Sequence, residues 1–385
     1  MQSRFLSSLE GVLVPSTSSN VTAITTVTLL TMLAACSDST SPSMTRAARM
    51  SEAVASAFPL AHATVHVLAG LDGMTPTAIN DSDEVVGYTG GPVANSANFR
   101  PFRWTAAKGV TMLQLGNNAW AQANAVNDHG VIAGTGSVEY LAANRAVAWL
   151  PDGSVRDLPL WPDSLDTEVA PNGCAISGMN IYGAIVGTCI AHGAFQIATQ
   201  FFWHSPATGA GNAEYTSISD DGWIGGAEDE EYQIGTPFII SPSKQGITLK
   251  GHDGLAHNGS AVNAITHHGW AAGYSGESGC RQAVAWLDHA GQTYPEFRMG
   301  VCGQSTGITD DWYVTGTASD SALDASTDWA FVWFPGPGTQ RLPGLGGTGE
   351  TSTAVAISNT THHVLGTITS GGARHVVIWD VGPRS

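Results

Sequence analysis

Short apolar stretches return along the chain at a nearly constant interval. Ala78-Ile79-Asn80-Asp81 leads to Val85-Val86-Gly87 and then to Pro101-Phe102-Arg103-Trp104. Ala125-Val126-Asn127-Asp128-His129-Gly130 leads to Gly134 and then to Ala146-Val147-Ala148-Trp149. The succession returns from Asn180 to Gly187 with Trp203, from Ser219 to Gly226 with Ile240, and from Thr266 to Gly273 with Trp286. It returns again from Thr309 to Gly316 with Trp333 and, with one inserted residue, from Ser358 to Gly366 with Trp379. The apolar residue before each turn is Ile79, Val126, Met179, Ile218, Ile265, Ile308 or Ile357, spaced by 39 to 53 residues, about 46 on average. A period in the forties with several short strands per unit is a propeller pattern.

Each unit reads as four strands. The Asn-Asp-x-Gly segment makes a hairpin turn, because Asn and Asp bond back to the backbone and Gly accepts positive φ. The β-branched pair after it starts a second strand, and the residues ending in Trp make a third. A Gly turn opens a fourth, as in Gly109-Val110-Thr111-Met112-Leu113 and Gly153-Ser154-Val155-Arg156-Asp157-Leu158. The third unit has the shortest candidate for that strand. After Trp379 too few residues remain for a fourth strand. At the other end, Leu68-Ala69-Gly70-Leu71-Asp72-Gly73 matches Leu342-Pro343-Gly344-Leu345-Gly346-Gly347, which falls in the fourth-strand slot of the sixth unit. The expected fold is therefore all-β, a seven-bladed β-propeller over residues 63–385. An N-terminal strand completes the last blade, and closure of this kind removes exposed sheet edges.

These seven copies resemble the HAF-repeat family of bacterial extracellular proteins, whose signature is Ala-Ile-Asn-x-x-Gly-x-Val-Val-Gly followed by an Ala-Phe-x-Trp strand. The resemblance covers residues 64 to 381. It implies a secreted or surface β-propeller and no particular activity, and it carries over no catalytic residues.

Upstream, Val21 to Ala35 is an apolar run of fifteen residues, short of the ~20 needed to span a bilayer. It ends in Leu33-Ala34-Ala35-Cys36, which resembles the lipobox of bacterial lipoproteins. That resemblance implies removal of residues 1–35 and acylation of Cys36, and Ser37 after it implies the outer membrane. Arg4 is the one basic residue before the run, so a mis-assigned start or a retained N-terminal anchor is the alternative. Residues 37–62, rich in Ser, Thr and Ala, read as a tether, with Met50, Val54 and Phe58 at the spacing of a short amphipathic helix.

Charge narrows the partners. The 385 residues carry 15 Lys+Arg against 32 Asp+Glu, a formal net charge of -17, which argues against nucleic acid because phosphate neutralisation needs clustered basic residues. With Cys36 set aside, Cys174, Cys189, Cys280 and Cys302 make an even number for an oxidising compartment. Cys174 and Cys189 flank the third hairpin symmetrically and are expected to pair. Cys280 and Cys302 fall on one rim of adjacent units and form the second candidate pair. Free thiols or a metal cluster are the alternatives, although no Cys-x-x-Cys spacing supports a metal.

Candidate chemistry is sparse. His129, His267, His268, His362 and His363 fall in hairpin turns of different units, and are expected to be solvated rather than to converge on a metal. His252 and His257 share one loop. The Asp-rich turns lack the ligand ladder of a calcium loop, so a structural Ca2+ has no support and no cofactor is expected. The loop after the second strand carries Glu228, Asp229, Glu230 and Glu231 in the fourth unit. In the sixth it carries Asp320, Asp324 and Asp328. Both loops lie on one rim, where they would suit a cation or a basic partner, or merely solubilise the surface.

The slot after the turn Gly holds Glu84 in the first unit, which suggests exposure. The fourth and fifth units put Trp223 and Trp270 there, and in the sixth Tyr313 follows Trp312. These four aromatics form either a docking surface or a seal over neighbouring units. No Gly-x-Ser-x-Gly elbow, phosphate loop or paired-His motif occurs. The sequence thus describes a lipid-anchored, non-catalytic binding or scaffold module facing the periplasm or cell exterior. Its expected partner is an envelope or membrane protein. A hydrolase or lyase acting on polysaccharide with its site on the acidic-loop rim, or a lectin using Trp120 and Trp161, is the alternative.

Overall fold

The second strand of each repeat contains a glycine whose need becomes clear from its neighbour. In all seven repeats the first strand carries a β-bulge, a register shift seen between Pro76 and Ala78, Ala123 and Ala125, and at the matching place in the other five. The bulge pushes a first-strand carbonyl against the second strand. A Cβ on Gly134 would lie 1.9 Å from the Gln122 carbonyl oxygen, and one on Gly366 would lie 2.0 Å from that of Thr353. The extra residue of the bulge also does inter-repeat work. Thr77 Oγ1 donates to the Ala123 carbonyl at 2.8 Å, Asn263 Nδ2 to that of Ser305 at 2.8 Å, and Thr306 Oγ1 to that of Ala354 at 3.0 Å.

The computed structural model describes residues 63–382 except 94–95, 139–143, 159–173, 190–192, 199–200, 205–212, 231–232, 251–258, 277–280, 288–295 and 320–326. Among the described residues the fold is all-β, without an α-helix, and propeller-like. Five antiparallel sheets have four strands each, a sixth has seven, and a two-stranded ribbon pairs Pro92–Val93 with Ser96–Ala97. The larger sheet arises because Glu296–Ile308 serves two repeats. Its start pairs with Gln282–Trp286 and its end with Val314–Ser319. It is the fourth strand of the fifth repeat and the first of the sixth.

A single repeat cannot bury both faces of its own sheet, so the apolar residues collect between sheets. One core joins the second and third repeats through Ala146, Leu158, Ile176 and Ile185. Another joins the seventh to the first, with Val376 and Ile378 packed among Leu71, Val85 and Phe102. Trp149, Trp286 and Trp379 are almost wholly buried. Each indole N–H donates to a carbonyl at the exit of the preceding repeat's fourth strand, Gln114 at 2.7 Å, Lys250 at 3.1 Å and Pro343 at 2.8 Å respectively. The repeat Trp therefore both fills the core and satisfies a backbone group of its neighbour.

Two expected placements change. Thr64–Val67 pairs antiparallel with Ala373–Asp380, Thr64 opposite Asp380 and Val67 opposite Val377. The N-terminal strand thus precedes Leu68–Gly73, just as Gly338–Arg341 precedes Leu342–Gly347 in the sixth repeat. The Leu-x-Gly-Leu segment is the exit from the strand rather than the strand itself, and Leu68 and Leu71 plug the core beneath it. In the third repeat, Ile197 faces Ile185 in the third-strand slot expected for Trp203, which instead lies in the fourth strand, Phe201–His204.

Candidate functional site: an axial mouth of hairpin turns

The seven turns between first and second strands come together at one end of the fold. Each is built the same way. The first turn residue accepts backbone N–H groups with its side-chain oxygen. Asn80 Oδ1 takes those of Ser82 and Glu84, and Thr266 Oγ1 takes those of His268 and Trp270. Where that residue is Asn, its amide also reaches the next repeat. Asn80 Nδ2 donates to the Asn127 carbonyl, Asn127 Nδ2 to that of Asn180, and Asn180 Nδ2 to that of Ser219.

The second turn residue continues the chain of links. The Asp81 backbone N–H donates to Asp128 Oδ1, Ile181 to Asp220 Oδ1, His267 to Asp310 Oδ1, and Asp310 to Asn359 Oδ1. Thr360 N–H donates to Asp81 Oδ1 at 3.0 Å, joining the seventh turn to the first. Residues from all seven turns line a cavity of about 390 Å³, in which Asp81, Asp128, Asp220 and Asp310 are the carboxylates.

Electrostatics at the mouth follow from that crowding. Burial raises the Asp128 pKa, assisted by repulsion from Asp81 and Asp220 and opposed by the Asp81 N–H. His267 sits between two acids, with Nε2 3.0 Å from Asp220 Oδ2 and Nδ1 in short contact with Asp310 Oδ2. Burial alone would lower its pKa, but the hydrogen bonds and charges of Asp310 and Asp220 outweigh this and raise it. Asp310 responds oppositely. Burial pushes it up, while His267 and the Asn359 amide, 2.8 Å away, bring it below the usual carboxylate value.

This arrangement corrects several expectations. Turns of separate repeats do converge, and most of the turn histidines are engaged rather than solvated. Besides His267, His363 Nδ1 lies 2.6 Å from Asp83 Oδ1 and His362 Nε2 2.9 Å from Asp311 Oδ2. His129 and His268 are the exposed ones. Among the described residues no cluster of three His, Cys, Asp or Glu could hold a metal ion. The slot after the turn Gly is not exposed where it holds Glu84. That carboxylate is 5% accessible and gripped by Arg103, Nε to Oε1 at 2.6 Å and Nη2 to Oε2 at 2.7 Å. Burial still raises its pKa against the pull of Arg103.

The four aromatics expected beside the turns pack across repeats. Trp223 is half-buried and lies over Gly269 of the next turn. Trp270 and Trp312 are half-buried and meet edge to face at 5.3 Å. Tyr313 is 2% accessible, stacks on His362 at 4.4 Å and donates to the Gly382 carbonyl. Trp223, Trp270 and Trp312 keep part of their surface open, and Tyr313 does not. Trp312 also holds φ 76° in the slot that is Gly in four other turns, as do Asp83 at 59° and His362 at 58°. A bulky residue there carries backbone strain. The aromatic most open to solvent on this end is one that sequence reasoning passed over, Tyr182 of the third turn, 72% accessible beside Ile181. Its signal was an apolar Ile-Tyr pair in a slot that is polar in every other turn.

The acidic loops lie at the opposite end, after the second strands. Glu228 and Asp328 are half-buried there, and Asp229 and Glu230 belong to the strand Ile224–Glu230. Glu231, Asp320 and Asp324 fall outside the described residues, as do Cys36, the 37–62 tether, Trp161, His252 and His257. Trp120, the other lectin candidate, is 7% accessible. Cys174 and Cys189 are direct partners in the hairpin register. Cys302 is disulfide-bonded, and Cys280, the expected partner, lies outside the described residues.

No protein-family model matches the chain, and a search of curated proteins finds no sequence match. Solved structures with a similar fold include virginiamycin B lyase from Staphylococcus aureus. It is 12% identical, covering 82% of this chain and 98% of that one, with a TM-score of 0.49. TolB from Acinetobacter baumannii is 11% identical over 77% of this chain and 82% of that one, with a TM-score of 0.38. The acylaminoacyl peptidase of Pyrococcus horikoshii is 7% identical over 83% of this chain and 53% of that one, with a TM-score of 0.45. At such identities the likeness concerns the fold alone, and the three bear unrelated functions on it.

Proposed function

We propose that the chain is a seven-bladed propeller, closed into a ring by Thr64–Val67, that acts as a non-catalytic binding module on the bacterial envelope. In this reading Cys36 carries a lipid, residues 37–62 are the tether, and an envelope or membrane protein with a basic segment docks on the hairpin-turn end. The observation that carries it is the construction of the mouth. Its side chains are spent on holding seven turns in register around four carboxylates. A general base needs a free atom within hydrogen-bond reach of the substrate proton. Both ring nitrogens of His267 face carboxylates instead, and Asp310 accepts from His267 and Asn359 together. A rigid acidic rim on a chain of net charge -17 suits capture of a basic surface.

Site-specific photo-crosslinking in native membranes tests this. A crosslinking residue in place of Tyr182, on the mouth rim, should yield an adduct with one envelope protein, and high salt should weaken it. The same residue in place of Val138, just past the second strand Ile132–Ser137 at the opposite end, should yield none. Adducts from position 138 alone would move the docking face to the acidic-loop rim. Absence from both positions would contradict a protein partner.

A further inference from the structure

The His267 ring is held by carboxylates from two different repeats, neither of them its own. Asp220 comes from the fourth turn and Asp310 from the sixth, and His267 stands in the fifth between them. A neutral imidazole has one N–H and one lone pair. With a carboxylate at each nitrogen, the neutral ring must set its lone pair against a carboxylate oxygen, whereas the imidazolium donates to both. Asp310 cannot easily turn away, because Oδ1 accepts the His267 backbone N–H and Oδ2 accepts the Asn359 amide. The charged groups around this ring are Asp220 and Asp310 in contact, with Asp128 and then Asp81 beyond Asp220 around the mouth.

We propose that His267 is a proton-operated clasp that ties the fourth, fifth and sixth turns together across the axial mouth when its ring is charged, and gives up its bond to one of the two carboxylates when it is not. Protonation then sets two properties at once. Closed, the clasp engages two of the four carboxylates and neutralises one charge. Open, it leaves all four unopposed by a cation from this ring. The device is built into the fold and is independent of what docks on this end.

The sign of the pH dependence follows from the two pKa directions. The His267 value is raised above 6.5, so its stabilisation is complete below about 6.5 and is lost as pH climbs through the raised value. The Asp310 value is lowered below 3.8, so stabilisation from that side is lost only as pH falls through the lowered value. The clasp is therefore closed in mildly acidic solution and opens toward alkaline pH.

The test pairs a ring titration with a melting series on the whole chain. By NMR, the His267 ring should titrate above the ordinary imidazole value in the wild type and move down in Asp310→Asn. A titration at or below the ordinary value, or one that Asp310→Asn leaves unmoved, overturns the clasp. In the melting series, His267→Gln should lower Tm by roughly 2–4 °C near pH 5.5. That gap should close by about pH 9, where the wild type has lost the same proton. A gap that persists unchanged across this range would assign His267 a packing role and contradict the proposal. Should His267→Gln fail to fold, the Asp220→Asn variant supplies the second readout, since it keeps the ring and removes one acceptor.

Discussion

Deleting residues 63–73 should leave a chain that no longer melts as one cooperative unit near the wild-type temperature. The deletion removes the four pairs that Thr64–Val67 makes with Ala373–Asp380 and exposes the edge of the seventh repeat's sheet. It also removes Leu68 and Leu71, 4% and 0% accessible, from the core between the seventh and first repeats. Full burial of a leucine stabilises by roughly 1.5–3 kcal/mol, so the two plugs alone approach the lower end of a domain's total stability of about 5–15 kcal/mol. The ties across this seam, His363 to Asp83 and His375 to Asp72, are partly exposed and contribute far less. Thermal unfolding followed by circular dichroism distinguishes the outcomes. A truncated chain that melts like the wild type would mean that the seam does not hold the fold.

Gly134→Ala should be among the most damaging single-methyl additions at the described residues. Its Cβ would stand 1.9 Å from the Gln122 carbonyl oxygen and 3.0 Å from the Ala123 Cα, both backbone atoms of the bulged strand. No side-chain rotation relieves such a contact, so the first strand must shift and its hydrogen bonds with it. Overpacking of a core costs about 1–3 kcal/mol where side chains can yield, and the upper end or beyond is expected where they cannot. Gly153→Ala is the control. That glycine has φ 85° and nothing within 4 Å of its would-be Cβ, so only the strain of a left-handed alanine is felt, about 1–2 kcal/mol. Chemical denaturation of both variants should rank them in that order, and equal losses would contradict the bulge as the reason for the repeat glycine.

These two cases mark what could be read from the sequence. The period, the hairpin turns, and the third-strand Trp of most repeats were legible because they are local. A turn needs Asn or Gly where it bends, and a strand needs β-branched and aromatic residues where it packs. The bulge was not legible, since one extra residue in a short strand leaves no local mark. Its only trace is the second-strand glycine, which propensity reads as a weakness. The Trp203 slot failed because a Trp in the fourth strand and one in the third look alike without the pairing register.

The mouth was hidden for a different reason. Asp81 and Asp128 are 47 residues apart and meet only because the sheets stack around an axis. Reading turns as separate surface features made their histidines look solvated. Asp81, Asp128, Asp220, His267, Asp310 and Asn359 occupy one polar slot of the repeat, interrupted by Ile181. The Glu84 inference failed similarly, because its partner Arg103 lies on the third strand, nineteen residues on. A buried acid looks exposed until the base beside it is seen.

Closure of the ring is the claim on which the mouth, the seam and the docking face all depend. Thr64 and Asp380 stand directly opposite each other in the closing pair, and both side chains are at least partly open to solvent. Cysteines introduced at these two positions, in Thr64→Cys with Asp380→Cys, should oxidise to an intramolecular disulfide, identified by peptide mapping alongside the native cysteines. Thr64→Cys with Ala373→Cys, at the far end of the same strand, should not. A folded protein in which the two thiols introduced at positions 64 and 380 stay free, or in which the 64–373 pair forms instead, would contradict the closed seven-bladed ring.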